Sequence, residues 1–129
     1  MEKTPKILIV DDDSNLRTLI TATLEKLEDY GVELLTAENG EDALKIIKAE
    51  KPNLVILDVM MPGMSGYDVC NVIKNELGMK DIFVLMLTAK GQKQDKEEGM
   101  DAGADSYMTK PFDPNEIVDK VAEVLKIDI

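Results

Sequence analysis

The chain has 129 residues, 44% of them hydrophobic, with one cysteine, no histidine and a formal charge of -11 from 26 acidic and 15 basic side chains. That length suits one compact domain over residues 1–129 and excludes two ordinary ones. The composition excludes an internal disulfide and any mechanism needing an imidazole from this chain, and the charge argues against direct binding to a nucleic-acid backbone, where affinity comes from Lys and Arg.

Short apolar runs alternate with longer amphipathic segments, the pattern of a parallel sheet covered by helices on both faces. Strands are expected near residues 6–10, 32–37, 53–58, 82–87 and 104–109, each followed by a helix. The first strand, Lys6-Ile7-Leu8-Ile9-Val10, runs into Asp11-Asp12-Asp13. Asp13 reads as a solvated or helix-capping group. The first helix then places Leu16, Leu19, Ile20, Thr23, Leu24 and Leu27 on one face, and Gly31 stops it.

The second strand mixes in polar residues, as an edge strand can. Its helix, residues 41–50, ends at Lys51-Pro52. The third strand, Leu54-Val55-Ile56-Leu57, is apolar throughout and stops at Asp58. Pro62-Gly63 then has the residue types of a type II turn, and Ser65 is the candidate N-cap of a helix facing inward through Val69, Val72, Ile73 and Leu77. Cys70 lies on that helix, where packing accounts for it better than reactivity.

The fourth strand leads to Thr88. The helix expected at 92–99 has almost nothing apolar before Met100, the composition either of a weakly held surface element that is a candidate moving part or of a merely solvated helix. The fifth strand, with mixed polarity, leads to Lys110, and Asp113-Pro114-Asn115-Glu116 opens a helix that buries Ile117, Val121 and Val124. Three nearly all-apolar strands in the middle and two mixed ones at the edges predict spatial order 2-1-3-4-5, a doubly wound α/β fold of the flavodoxin-like class.

In such a sheet ligands bind beyond the carboxyl ends of the strands, at the switch point between strands one and three. Asp11, Asp12 and Asp58 meet there. Like charges about 4 Å apart repel by about 4 kcal/mol at an effective dielectric of 20, so a cation has to be part of the arrangement. A hard divalent ion on oxygen ligands, with the Lys110 ammonium as a second positive charge, answers that need.

Four motifs, Ile7-Leu8-Ile9-Val10-Asp11-Asp12, Leu57-Asp58-Val59-Met60-Met61-Pro62-Gly63-Met64-Ser65-Gly66, Leu87-Thr88-Ala89 and Tyr107-Met108-Thr109-Lys110-Pro111-Phe112, resemble the response-regulator receiver domain of two-component signalling. The resemblance covers essentially the whole chain. It implies that Asp58 accepts a phosphoryl group from the phosphohistidine of a sensor histidine kinase or histidine phosphotransfer protein. It further implies Mg²⁺, with Mn²⁺ as an alternative, held by Asp11, Asp12, Asp58 and the main-chain carbonyl of Met60. Lys110 and the Thr88 hydroxyl are implied to meet phosphoryl oxygens, while Met60 and Lys90 tune slow hydrolysis.

A Thr88–Tyr107 switch is then implied to alter the surface of the fourth helix, fifth strand and fifth helix for a downstream protein. By this reading the chain is a signalling switch rather than an enzyme, in the cytoplasm, with no direct nucleic-acid contact and no membrane insertion. The last expectation also follows from the absence of any apolar run near the ~20 residues that cross a bilayer. The cytoplasmic expectation rests on a first segment that lacks a signal peptide's apolar stretch.

Three rivals share parts of the pattern. A flavin-binding module would need a Ser/Thr/Gly-rich phosphate cradle where three aspartates stand. An aspartate phosphatase of the haloacid dehalogenase kind calls for a second Asp at the position of Met60. An interaction domain that has lost phosphorylation would not need every acidic, hydroxyl and ammonium group retained.

Overall fold

The structure is a computed structural model that describes residues 4–89, 103–110 and 113–127. Five parallel strands form one sheet: β1 (Lys6–Val10), β2 (Glu33–Ala37), β3 (Leu54–Asp58), β4 (Phe83–Ala89) and β5 (Ser106–Lys110). Their spatial order is β2-β1-β3-β4-β5, as the distribution of apolar residues predicts. The register pairs Val10 with both Ala37 and Leu57, Asp58 with Leu87, and Ala89 with Lys110, so the carboxyl ends of the strands share one rim.

Four α-helices lie among the described residues: α1 (Ser14–Leu24), α2 (Gly40–Glu50), α3 (Gly66–Asn71) and α4 (Pro114–Leu125). The helix expected at 92–99 lies outside the described residues, as do Lys90, Pro111 and Phe112. The two-residue period of each strand splits the core into two layers. Ile7, Ile9, Leu54, Ile56, Leu85 and Leu87 pack with α1 and α4 on one face. Leu8, Val10, Val55, Leu57, Val84 and Met86 pack with α2 and α3 on the other. Burial on both faces is why the central strands read as unbroken apolar runs.

The helix ends follow from local chemistry. Asp13 caps α1, its side chain accepting from the N–H groups of Asn15 and Leu16, which bears out the capping reading. Ser65 and Asp68 form a reciprocal capping box on α3, and Asp113 caps α4 with Pro114 in its first turn. Gly31, at φ 85°, closes the turn after α1 in the left-handed conformation that glycine adopts without steric cost.

Four inward assignments need correction: Leu19, Val72 and Leu77, and Val124 of α4, which packs against the core half-buried instead of buried. Leu19 is 48% exposed, because the stripe through Leu16, Ile20 and Leu24 already spans the buried face and Leu19 falls on its flank. The first helix also does not run unbroken to Gly31. It tightens to a 3₁₀ segment over Glu25–Tyr30 that still buries Leu27. In α3 the inward Val69 and Ile73 are buried, whereas Val72 and Leu77 are half-buried, and the helix widens into a π turn over Val72–Glu76. Lys74 in that turn is buried. Its ammonium pairs with Asp105 at 2.8 Å and donates to the main-chain carbonyls of Lys80 and Ile82.

Candidate functional site at the carboxyl rim

Two central strands end in carboxylates that the fold buries. Asp11 follows β1 and Asp58 closes β3, and they are 1% and 3% exposed, while Asp12 stands exposed beside them. One carboxylate oxygen from each of the three lies within 4.8 Å of the others. Lys110, delivered by the end of β5, completes the cluster: its Nζ is 2.9 Å from Asp58 Oδ1 and 3.5 Å from Asp11 Oδ2. Residues separated by up to 99 positions thus meet because parallel strands all point the same way.

Each buried acid is also held by main-chain donors. Asp11 Oδ1 accepts from the N–H of Asp13 at 2.9 Å, and Asp58 Oδ1 accepts from the N–H of Met60 at 3.3 Å. Burial pushes the Asp58 carboxyl above the usual carboxylate range, opposed by its hydrogen bond with Lys110 and reinforced by the charge of Asp11. Burial works against the Lys110 ammonium, but its bond with Asp58 and the charges of Asp58 and Asp11 outweigh that and leave its pKa above that of an ordinary lysine. Three carboxylates around one ammonium leave a net negative pocket of hard oxygen donors, which fits a divalent cation such as Mg²⁺.

Thr88 follows the β4 residue that pairs with Asp58, and its hydroxyl is buried with no hydrogen-bond partner among the described residues. A buried hydroxyl without a partner is costly and marks a place where a ligand oxygen fits. Tyr107, half-buried on β5, pairs in register with Met86 and packs against the same core layer as Val84 and Met86. The strand period puts Thr88 on the face of β4 that carries those two residues. Met60 is 71% exposed at the mouth of the cluster.

Glycine makes the loop after β3 close tightly. A Cβ on Gly66 would clash with the carbonyl oxygen of Asp58 and stand 2.9 Å from the Cα of Val59. The N–H of Gly66 bonds the Val59 carbonyl at 3.0 Å, which lays the start of α3 directly against the end of β3. Sequence reasoning overlooked Arg17, whose guanidinium donates to the main-chain carbonyl of Asp11 at 2.7 Å. The available signal was a lone cation one turn into a helix that follows three acids.

These rim residues are the ones that a family match spans. The model of the response regulator receiver domain matches residues 7–122. The chain belongs to the response regulator receiver family. It is 45% identical over 121 residues to the alkaline phosphatase synthesis transcriptional regulatory protein PhoP of Bacillus subtilis, covering 94% of this chain and 48% of that protein. It is 43% identical over 120 residues to the phosphate regulon transcriptional regulatory protein PhoB of Pseudomonas aeruginosa, covering 93% and 51%. The solved structure of the chemotaxis protein CheY4 of Vibrio cholerae superposes with a TM-score of 0.83 at 31% identity, covering 95% of this chain and 99% of that one.

The chain spans about half the length of the curated relatives it matches. Those relatives carry the names of transcriptional regulators, so the expectation of no direct nucleic-acid partner finds no support in them. The charge argument behind it concerns the surface of this chain alone. Among the described residues no helix is long and apolar enough to cross a membrane.

Proposed function

We propose that this receiver chain is a phosphorylation-activated switch of one domain that takes a phosphoryl group onto Asp58. The donor is the phosphohistidine of a sensor histidine kinase or histidine phosphotransfer protein in the cytoplasm. The observation that carries the reading is the Asp58 carboxylate, buried at a strand end, 2.9 Å from the Lys110 ammonium and grouped with Asp11 and Asp12. An Asp58 oxygen attacks phosphorus, the phosphorus–nitrogen bond of the donor breaks, and the donor imidazole leaves with its electron pair and takes up a proton. Hydrolysis reverses the modification: water attacks phosphorus, the phosphorus–oxygen bond breaks, and Asp58 regains its carboxylate as inorganic phosphate leaves.

Asp11, Asp12, an Asp58 oxygen and the carbonyl of Met60 would hold the Mg²⁺. When bound, the ion supplies positive charge between these acids and the incoming phosphoryl oxygens. Lys110 exchanges part of its pairing with Asp58 for a phosphoryl oxygen, a role its high pKa suits because it stays charged across the physiological range. The Thr88 hydroxyl, which has no partner among the described residues, donates to another phosphoryl oxygen. Side chains at Met60 and Lys90 set the access of the attacking water.

Capture of the Thr88 hydroxyl draws the end of β4 toward the phosphoryl group, and Tyr107 turns toward the vacated space. That change alters the surface of β5, α4 and the segment before β5, which meets a downstream protein. The test is intact mass after incubation with Mg²⁺ and acetyl phosphate. The wild type is expected to gain one phosphoryl adduct and Asp58→Asn none. An adduct on both removes Asp58 from its role, and an adduct on neither defeats the proposal.

A further inference from the structure

We propose that Arg17 is a positioning residue for the divalent-cation pocket, setting the direction in which Asp12 projects by holding the peptide that joins it to Asp11; this rests on the cation pocket of the proposed function. The contacts form a closed frame around Asp12. The N–H of Asp11 bonds the Ala37 carbonyl at 3.2 Å, extending the β1–β2 ladder by one residue. The Asp11 carbonyl lies past that ladder, and the Arg17 Nη1 donates to it at 2.7 Å. The N–H of Arg17 bonds the Asp13 carbonyl at 3.0 Å, and the N–H of Asp13 bonds Asp11 Oδ1.

The peptides on both sides of Asp12 are therefore tied down, although its own side chain is exposed. The second arm of the guanidinium reaches Glu38 Oε2 at 3.8 Å in the loop after β2, so the frame is anchored to the neighbouring strand as well as to α1. A planar fork with two usable edges suits such a bridge, where a single ammonium point does not. The guanidinium meets the carbonyl of Asp11 and not its carboxylate, which is engaged by Asp13 and Lys110. Its action is orientation, since it neutralises none of the pocket's acids directly.

The experiment measures Mn²⁺ affinity by the paramagnetic resonance of the free ion, using the full chain as wild type, Arg17→Ala, Arg17→Lys and Glu38→Gln, with the melting temperature of each in the absence of divalent ions. Loss of a hydrogen bond that orients ligands weakens metal binding by about tenfold, the effect expected for Arg17→Ala. Arg17→Lys, which keeps the charge without the fork, and Glu38→Gln, which frees one arm, fall between that variant and the wild type. A merely structural role lowers the melting temperature and leaves the affinity of the folded protein unchanged. Wild-type affinity in Arg17→Ala, or in both milder variants should that one fail to fold, overturns the inference and leaves the cation pocket standing. Failure of the wild type itself to bind Mn²⁺ overturns the pocket and the inference with it.

Discussion

At the residue scale, Asp58 is held in a state that its surroundings resist. Burial and the charge of Asp11 raise its pKa above the unfolded value near 3.8, so in the window just above that value the folded chain binds more protons than the unfolded one. Stability contributed by this group therefore falls as pH rises from 3.8 through the folded pKa and is flat above it. Asp58→Asn, nearly equal in shape and permanently neutral, is expected to melt at a higher temperature than the wild type at pH 7 without divalent ions. The difference should shrink as pH falls toward 4. A difference independent of pH across that window would remove the ionised carboxylate as its cause.

At the element scale, α3 shows how one face of the sheet is pinned far from the rim. Its capping box and the close approach of Gly66 to Asp58 fix its start, and the π turn at its end carries Lys74 into the protein to meet Asp105, ahead of β5. Asp105 also accepts from the N–H of Val84, and a Cβ on Gly103, at φ 96°, would stand 3.1 Å from the stem of Lys74, so the pair joins three elements. Lys74→Met keeps the apolar stem but takes the ammonium from the carbonyls of Lys80 and Ile82 and leaves the Asp105 carboxylate with the N–H of Val84 and no cation. The expected loss is about 2 kcal/mol, seen as a lower urea midpoint with an unchanged slope. An unchanged midpoint would show that the pair contributes nothing net, as ion pairs with one exposed partner often do.

At the scale of the whole molecule, three acids gathered at one rim work against folding unless a cation joins them, and a ligand that binds only the folded state adds stability by mass action. Mg²⁺ at about a hundred times its dissociation constant adds about 2.7 kcal/mol, a rise of roughly 10 °C in melting temperature for a domain of this size. Asp12→Ala is expected to lose most of that rise while melting near the wild-type temperature without Mg²⁺, because Asp12 is exposed. Equal rises in the two proteins would place the ion elsewhere.

Sequence alone determined which described segments are strands and which are helical, the order of the strands in the sheet and the acids at the rim. Apolar runs, capping residues and strand ends are local signals, and a parallel sheet turns strand ends into neighbours without further information. Tertiary structure alone decided which polar groups found each other across the chain: Lys74 with Asp105, Arg17 with the Asp11 carbonyl and Glu38, and a Thr88 hydroxyl left without a partner among the described residues. It also turned Leu19 outward and wound the end of α3 into a π turn. Periodicity encodes which face of an element is apolar, whereas the pairing of a buried polar group depends on which distant loops the topology brings within hydrogen-bond reach, and no local pattern carries that distance.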